Sequence, residues 1–160
     1  MIRWLDDSIR DEEICIDGYK CIRLDRNRHG GGIIIFAQES ILSKYSTYLF
    51  SDNLELACIE ICLPKQKPFL LIYWYRPPDS HNDIFDKVEH LLENVEDKNT
   101  DYILIGDLNC DLNKTPKAHH TNRLLRIAEE YELEQFVEKH TRVTATTSTL
   151  IDILRGVITI

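Results

Sequence analysis

The order of apolar and polar positions along this chain predicts strands in its first half and alternating helices and strands in its second. Apolar runs of strand-like length occupy positions 18–23, 33–37, 54–63, 68–75 and 102–105. These runs are rich in β-branched and aromatic residues, which favour the pleated, partly buried surface of a sheet. The runs 54–63 and 68–75 are separated by a short turn that starts at Pro64, so together they predict a β-hairpin.

The spacing changes to that of amphipathic helices in two later segments. One helix is predicted over 82–97, where apolar residues recur every three or four positions, and a second is predicted to begin near Thr121. The remaining pattern predicts an entry loop over 6–17, a polar connector over 40–48, a short strand at 136–137 and a threonine-rich, strand-prone span over 141–149. This order indicates an α/β (α+β) fold, a layered sheet with both helices on one face.

Composition narrows the class of protein. With 160 residues, 43% of them hydrophobic, the chain is predicted to form a single domain over 1–160 with a substantial core. A net charge of -8 argues against a generally basic nucleic-acid binder. No apolar run approaches the ~20 residues that span a bilayer, so no membrane contact is expected. Five cysteines without zinc-site spacing predict reduced, mostly buried thiols and an intracellular location, in the nucleus or cytoplasm.

Polar side chains follow the apolar strand at 102–105 directly. Gly106 lets the backbone turn, and Asp107 and Asn109 then stand two positions apart, so that in extended backbone their side chains share one face. A carboxylate beside an amide suits a hard divalent cation, or the orientation of a water or phosphate oxygen. The alternative is an ordinary turn, in which both side chains bond nearby backbone amides.

Two other strand ends also carry polar groups. The strand 68–75 ends on Tyr75 and Arg76 before two prolines, and both side chains can donate hydrogen bonds to a phosphate oxygen. A packed aromatic residue beside a surface arginine is the alternative. A further strand is predicted over 150–154, which is apolar except for Asp152 between Ile151 and Ile153. A carboxylate there is costly in a core unless it is paired, and the alternative is that it faces solvent.

One turn concentrates cationic groups against the acidic background. The triple glycine at 30–32 is preceded by Arg23, Arg26, Arg28 and His29. Against this acidic background the turn is the predicted binding site for a phosphate backbone. The alternative is a solvated loop, in which such groups are also common. The triple glycine lacks the Lys-Ser/Thr of a P-loop and precedes a strand, so it is interpreted as a tight or bulged strand entry.

Taken together, these pieces resemble the endonuclease/exonuclease/phosphatase family, and within it the endonuclease domain of long interspersed (non-LTR) retrotransposons. The resemblance covers nearly the whole chain. It is carried by Trp4 to Ile9, Gly18-Tyr19, Arg23 to Arg26, His29 to Ile33, Tyr75 to Pro78, Gly106 to Asn109, Thr141-Arg142 and Ser148 to Leu154.

The resemblance implies a four-layer α/β sandwich of two packed mixed sheets flanked by helices, and a Mg²⁺- or Mn²⁺-dependent phosphodiesterase that nicks DNA. Asp107 would activate the attacking water, and Asn109 would hold the scissile phosphate and, with Asp107, the metal. Tyr75 would donate to a phosphate oxygen, and Asp152 would orient a catalytic histidine. The residues expected to contact the DNA are Arg76, Arg26, Arg28, Thr141 and Arg142. A reverse transcriptase would be the fusion partner in the parent element.

Two departures from the family pattern predict weak metal binding and weak or absent activity. Family members carry a Glu metal ligand just before the Trp-Leu pair, where this chain has Ile2 and Arg3. They also continue to a Ser-Asp-His ending, whereas 155–160 lacks the Asp and the His. We therefore expect an incomplete domain, truncated at both ends. The alternatives are a non-catalytic nucleic-acid-binding remnant, and another phosphodiesterase or phosphatase of the same fold.

Overall fold

A computed structural model describes residues 8–25, 32–45, 54–137, 139, 142–143, 148–149 and 152–157. The helices are α1 (Asp11–Ile14), α2 (Asp83–Glu96) and α3 (His119–Glu130). The strands are β1 (Tyr19–Leu24), β2 (Ile33–Gln38), β3 (Leu42–Tyr45), β4 (Glu55–Cys62), β5 (Phe69–Tyr75), β6 (Tyr102–Asp107), β7 (Glu134–Gln135), β8 (Arg142–Val143), β9 (Ser148–Thr149) and β10 (Asp152–Val157).

A six-stranded mixed sheet is the centre of the fold. Its strand order is β3-β4-β5-β6-β10-β7, in which β5 and β6 are parallel and the other neighbours are antiparallel. The predicted hairpin of β4 and β5 is confirmed. Two smaller antiparallel sheets, β1-β2 and β8-β9, complete the described strands.

The hydrophobic core lies between this sheet and the two long helices. Alternate residues of β4, β5 and β6, among them Leu56, Trp74 and Leu104, form one buried cluster with the apolar stripes of α2 and α3. The rings of Trp74 and Phe85 meet edge to face, with centroids 5.8 Å apart. Both helices therefore cover one face of the sheet, as predicted, because strand residues alternate between faces while helix residues repeat every three to four positions.

The opposite face of β4 is covered by the β1-β2 hairpin. Ala57, Ile59 and Ile61, which alternate with the helix-facing residues, are buried, and so are Ile33 and Ala37 of β2, a strand that contacts β4. Helices, central sheet and hairpin thus form successive layers of an α+β sandwich, which confirms the predicted fold class.

Several weakly patterned segments differ from their predictions. Part of the polar connector at 40–48 forms β3, because pairing with β4 satisfies its backbone. The entry loop contains the single turn α1. The strand predicted at 136–137 lies two residues earlier, as β7, and Phe136 is 52% exposed. The span 141–149 supplies two short paired strands, β8 and β9.

The five cysteines are free thiols, as predicted, but they differ in exposure. Cys58 and Cys110 are buried, whereas Cys15 is exposed. Burial raises the pKa of the Cys58 thiol to about 12, which keeps it protonated at neutral pH. Within the described segments, no helix has both the length and the hydropathy needed to cross a membrane.

Gly106 allows β5 and β6 to approach closely at the end of the sheet. Its φ is +153°, and a Cβ at this position would lie 1.8 Å from the carbonyl oxygen of Trp74. No side chain fits there, because the blocking atom belongs to the backbone of the neighbouring strand. Glycine is therefore required at the point where both strands deliver their last residues.

We predict that Gly106→Ala lowers the free energy of unfolding by about 3 kcal/mol or more, because the Trp74 carbonyl must move and open the β5-β6 pair. Urea unfolding followed by circular dichroism measures the change. Gly18→Ala is the matched control: it has a positive φ of +80° but open space around its Cβ, so its cost is about 1–2 kcal/mol of backbone strain. Equal losses in the two variants would contradict the proposed clash.

Candidate functional site

Four polar residues occupy one row across four adjacent strands. Glu55 pairs with Tyr75 in the β4-β5 hairpin, and Asp107 pairs with Asp152 in the β6-β10 ladder. The parallel pairing of Tyr73 with Ile105, continued by two residues, brings Tyr75 beside Asp107. Because neighbouring strands are about 5 Å apart, the row is about 15 Å long. The structure thus brings three of the predicted catalytic residues to adjacent positions in the sheet.

Glu55, Tyr75 and Asp107 share the face of the sheet that lies opposite the helices. In β5 and β6 the buried positions alternate with Tyr75 and Asp107 and belong to the helix-facing core. In β4 the helix-facing residues are Leu56 and Cys58, and Glu55 lies on the other face with Ala57, Ile59 and Ile61. All three side chains are half-buried. These three side chains therefore form a rim of partly exposed polar groups beside the close-packed core.

Asn109 is fixed in a turn immediately after β6. Its backbone N–H donates to Oδ1 of Asp107 over 3.1 Å, its Nδ2 donates to the carbonyl oxygen of Arg76 over 2.9 Å, and its φ is +48°. Asp107 and Asn109 therefore do form a turn with side-chain-to-backbone hydrogen bonds, which was the alternative interpretation of their spacing. The same turn fixes the Asp107 carboxylate through the backbone of Asn109 and connects the Asn109 amide to the end of β5.

Arg76 lies inside the protein beneath this turn. The residue is 2% exposed, its Nη1 donates to the carbonyl oxygen of Leu108 over 3.1 Å, and its guanidinium carbon is 5.6 Å from the centre of the Phe85 ring. Its backbone N–H also donates to the Asp107 carbonyl over 3.0 Å. The expectation that Arg76 contacts substrate therefore needs correction: in this conformation the side chain is covered by the core and braces the turn.

The charge of the buried Arg76 affects the pKa values of ionisable side chains near it. Burial raises the pKa of the Cys110 thiol to about 11, although Arg76 acts in the opposite direction. Partial burial, and then the charge of Arg76, lower the pKa of His120. The sequence interpretation assigned no chemistry to α3, and no local motif places His120 near Arg76.

The structure describes only some of the other residues that were expected to contact DNA. Arg26, Arg28 and Thr141 lie outside the described residues, and Arg142 pairs with Thr149 between β8 and β9. Arg23 is engaged within the hairpin: its Nη1 donates to Asp11 over 2.8 Å and its Nε to Asp25 over 2.8 Å. These carboxylates compete with any phosphate for Arg23.

Glu55 is the member of the row that sequence reasoning did not select. It begins β4 in a loosely alternating apolar run, where an acidic residue is common on a solvated face. The available signal was the hairpin itself, because pairing 54–63 with 68–75 places Glu55 opposite the candidate Tyr75.

Asp107 and Asn109 supply the oxygen ligands that a hard cation prefers. Among the described residues, no cluster of three or more His, Cys, Asp or Glu side chains is arranged to hold a metal ion. Mg²⁺ often binds through one or two carboxylates and completes its shell with water and substrate phosphate, so the pair fits this minimal kind of site.

Comparison with solved structures identifies the fold. The endonuclease domain of TRAS1, a telomere-specific non-LTR retrotransposon, aligns with a TM-score of 0.68 and 16% identity, over 88% of this chain and 65% of that one. The catalytic domain of Xenopus laevis APE2 aligns with a TM-score of 0.62 and 13% identity, over 94% and 69%. An endonuclease/exonuclease/phosphatase family protein from Bacteroides thetaiotaomicron gives 0.55 and 15%, over 91% and 62%.

These likenesses establish that the chain has the fold of the endonuclease/exonuclease/phosphatase proteins, as its sequence motifs indicate. No protein-family model and no curated protein matches the sequence. The chain spans 65% of the TRAS1 domain.

We predict that Arg76→Met lowers the free energy of unfolding by about 1–3 kcal/mol, because the buried Leu108 carbonyl loses its charged donor. Urea unfolding measures this loss. Arg126→Met, at an exposed position of α3, is the control and is expected to change stability by less than about 0.5 kcal/mol. An Arg76 variant as stable as the control would show that the brace contributes nothing.

Proposed function

We propose that this domain hydrolyses phosphodiester bonds, with DNA as its substrate, at the row formed by Glu55, Tyr75, Asp107 and Asp152. The observation that carries the proposal is the register that brings the phenol of Tyr75 beside the Asp107 carboxylate at one sheet edge. Such a pair combines a group that can orient a water molecule with one that can donate to a phosphate oxygen.

Asp107, Tyr75 and Asn109 then have distinct roles. Asp107 accepts a proton from, or positions, the attacking water. Tyr75 donates a hydrogen bond to a phosphate oxygen as negative charge builds up in the transition state. The Asn109 amide contacts the phosphate from the turn below. Asp107 and Asn109 would also hold Mg²⁺ or Mn²⁺, which when bound neutralises phosphate charge and lowers the pKa of bound water.

DNA is favoured as the substrate by two independent likenesses. The sequence motifs resemble those of retrotransposon endonucleases, and the fold is similar to the TRAS1 endonuclease domain. In a retrotransposon the domain would act with a reverse transcriptase, nicking one DNA strand to prime synthesis. A phosphomonoester or phospholipid substrate of the same fold class is the competing proposal, which the substrate panel below distinguishes.

We predict that Asp107→Ala lowers the Mg²⁺-dependent rate of plasmid nicking by about 100-fold or more, because the group that positions the water is lost. Conversion of supercoiled to open circular plasmid measures the rate. Asp111→Ala is the matched control, since Asp111 Oδ1 accepts a hydrogen bond from Asn113 N–H in a similar turn four residues later. It should leave nicking unchanged.

The same preparation is tested on p-nitrophenyl phosphate and on phospholipid vesicles. Hydrolysis of these compounds with no action on DNA would overturn the DNA assignment. DNA binding that is insensitive to Asp107→Ala, without cleavage of any substrate, would support the non-catalytic alternative and overturn the proposed hydrolysis.

We predict that Tyr75→Phe lowers the nicking rate by about 100-fold while leaving DNA affinity nearly unchanged, because a donor aimed at developing charge acts mainly in the transition state. Single-turnover nicking and fluorescence anisotropy separate the two effects. Tyr73→Phe removes a phenol from the same face of β5 two residues earlier and is the control. Equal effects of the two variants would argue against a specific role for Tyr75.

A further inference from the structure

A cavity opens beside the row of polar residues, between the end of β1 and the starts of β2 and β4. Its volume is about 170 Å³, and among the residues that the structure describes it is lined by Leu24, Asp25, Gly32, Ile33, Leu54 and Glu55. Glu55 belongs both to this lining and to the row, so the cavity adjoins the candidate site through one shared side chain.

The size and walls of the cavity select a single planar ring. A cavity of about 150 Å³ lined by aliphatic and aromatic residues accommodates benzene, whereas drug-sized ligands need roughly 300 Å³ or more. Leu24, Ile33 and Leu54 supply three aliphatic walls. A hydroxyl-rich sugar ring would leave its polar groups unpaired against these walls, whereas an aromatic ring would not.

Two carboxylates give the cavity its hydrogen-bonding character. Asp25 is oriented by a two-point contact with Arg23, in which Nε lies 2.8 Å from Oδ1 and Nη2 lies 2.9 Å from Oδ2. An ionised carboxylate only accepts hydrogen bonds, and each oxygen can accept more than one. The ring that fits best therefore carries N–H donors at its edge and no carbonyl group facing Glu55.

The position of the cavity relates it to the phosphate site. Directly opposed residues in an antiparallel pair have Cβ atoms about 5 Å apart, so Glu55 is about one strand spacing from Tyr75 and two from Asp107. Glu55 is thus about 10 Å from Asp107, so a ring in contact with Glu55 is within the reach of a nucleotide whose phosphate is at the row.

We propose that this cavity binds the base of a nucleotide adjoining the scissile phosphate, and that Glu55 and Asp25 select an amino-bearing pyrimidine, cytosine, over thymine. The inference rests on the proposed phosphodiesterase function and extends it to the substrate class. Cytosine presents its N4 amino group where thymine presents the O4 carbonyl, and carboxylates accept from the former and repel the latter.

Binding without cleavage tests this proposal. Protein with ¹³C-labelled Leu and Ile methyl groups is titrated in EDTA with single-stranded oligodeoxycytidine and, separately, with oligothymidine of the same length. We expect the methyl signals of Leu24, Ile33 and Leu54 to shift with oligodeoxycytidine, which should bind about tenfold more tightly than oligothymidine. Equal affinities, or binding that leaves these three signals in place, would overturn the proposal.

Glu55→Gln gives a second, more specific test. The amide keeps the shape of the carboxylate but adds a donor that can pair with thymine O4, so the preference for cytosine should fall to about threefold or less. Glu60→Gln changes a half-buried acid of the same strand that does not line the cavity, and should keep the preference. Loss of the preference in both variants, or in neither, would overturn the role of Glu55.

The outcome is independent of the nicking assay. A cytosine preference in EDTA together with no cleavage would leave the cavity assignment standing and reject the hydrolase. Cleavage dependent on Asp107 with no base preference would do the reverse. Leu24→Trp, which fills the cavity, should weaken oligodeoxycytidine binding at least fivefold, whereas Ile22→Trp on the same strand should not.

Discussion

The parallel pairing of β5 with β6 is the constraint on which the candidate site depends. Glycine at position 106 allows the Trp74 carbonyl to approach where any side chain would stand, so the two backbones stay close up to the hydrogen bond from the Arg76 N–H to the Asp107 carbonyl. Tyr75 and Asp107 come side by side only because this pairing continues to the edge of the sheet. A substitution that separated the backbones here would move the phenol and the carboxylate apart without changing either group.

The turn after β6 transmits this order to Asn109. The backbone N–H of Arg76 donates to the Asp107 carbonyl, and the carbonyl of Arg76 accepts from the Asn109 amide, so β5 and the turn are linked in both directions. The buried guanidinium adds a third link through Leu108. A charge held in the core is costly unless it is well bonded, and here carbonyl dipoles and the face of the Phe85 ring offset that cost. The polar rim is therefore linked by hydrogen bonds to the buried core.

The elements with a clear local pattern were predicted from the sequence, whereas short edge strands and the burial of Arg76 were not. The helix at Asp83–Glu96 follows from apolar residues that recur every three or four positions, and the β4-β5 hairpin follows from two apolar runs joined by a short turn. β3 and β7 were missed or displaced because short edge strands are held by backbone hydrogen bonds to a neighbour, which composition does not encode. Arg76 was expected on the surface because arginine is rarely buried, and only the three-dimensional packing of α2 reveals that Phe85 covers it.

The acidity of the chain explains why base contacts would matter in this domain. Proteins that hold DNA mainly through lysine and arginine gain affinity that is independent of sequence. This chain has a net charge of -8, and its row contains the carboxylates of Glu55 and Asp107, so a phosphate approaching the row would meet repulsion as well as hydrogen-bond donors. DNA would then be held at such a site mainly by contacts to its uncharged parts, such as the bases. A ring-sized cavity beside Glu55, with apolar walls and acceptors at its edge, would supply that kind of contact under the proposal. The carboxylates that weaken attraction to the backbone are thus the groups that would confer selectivity for the base.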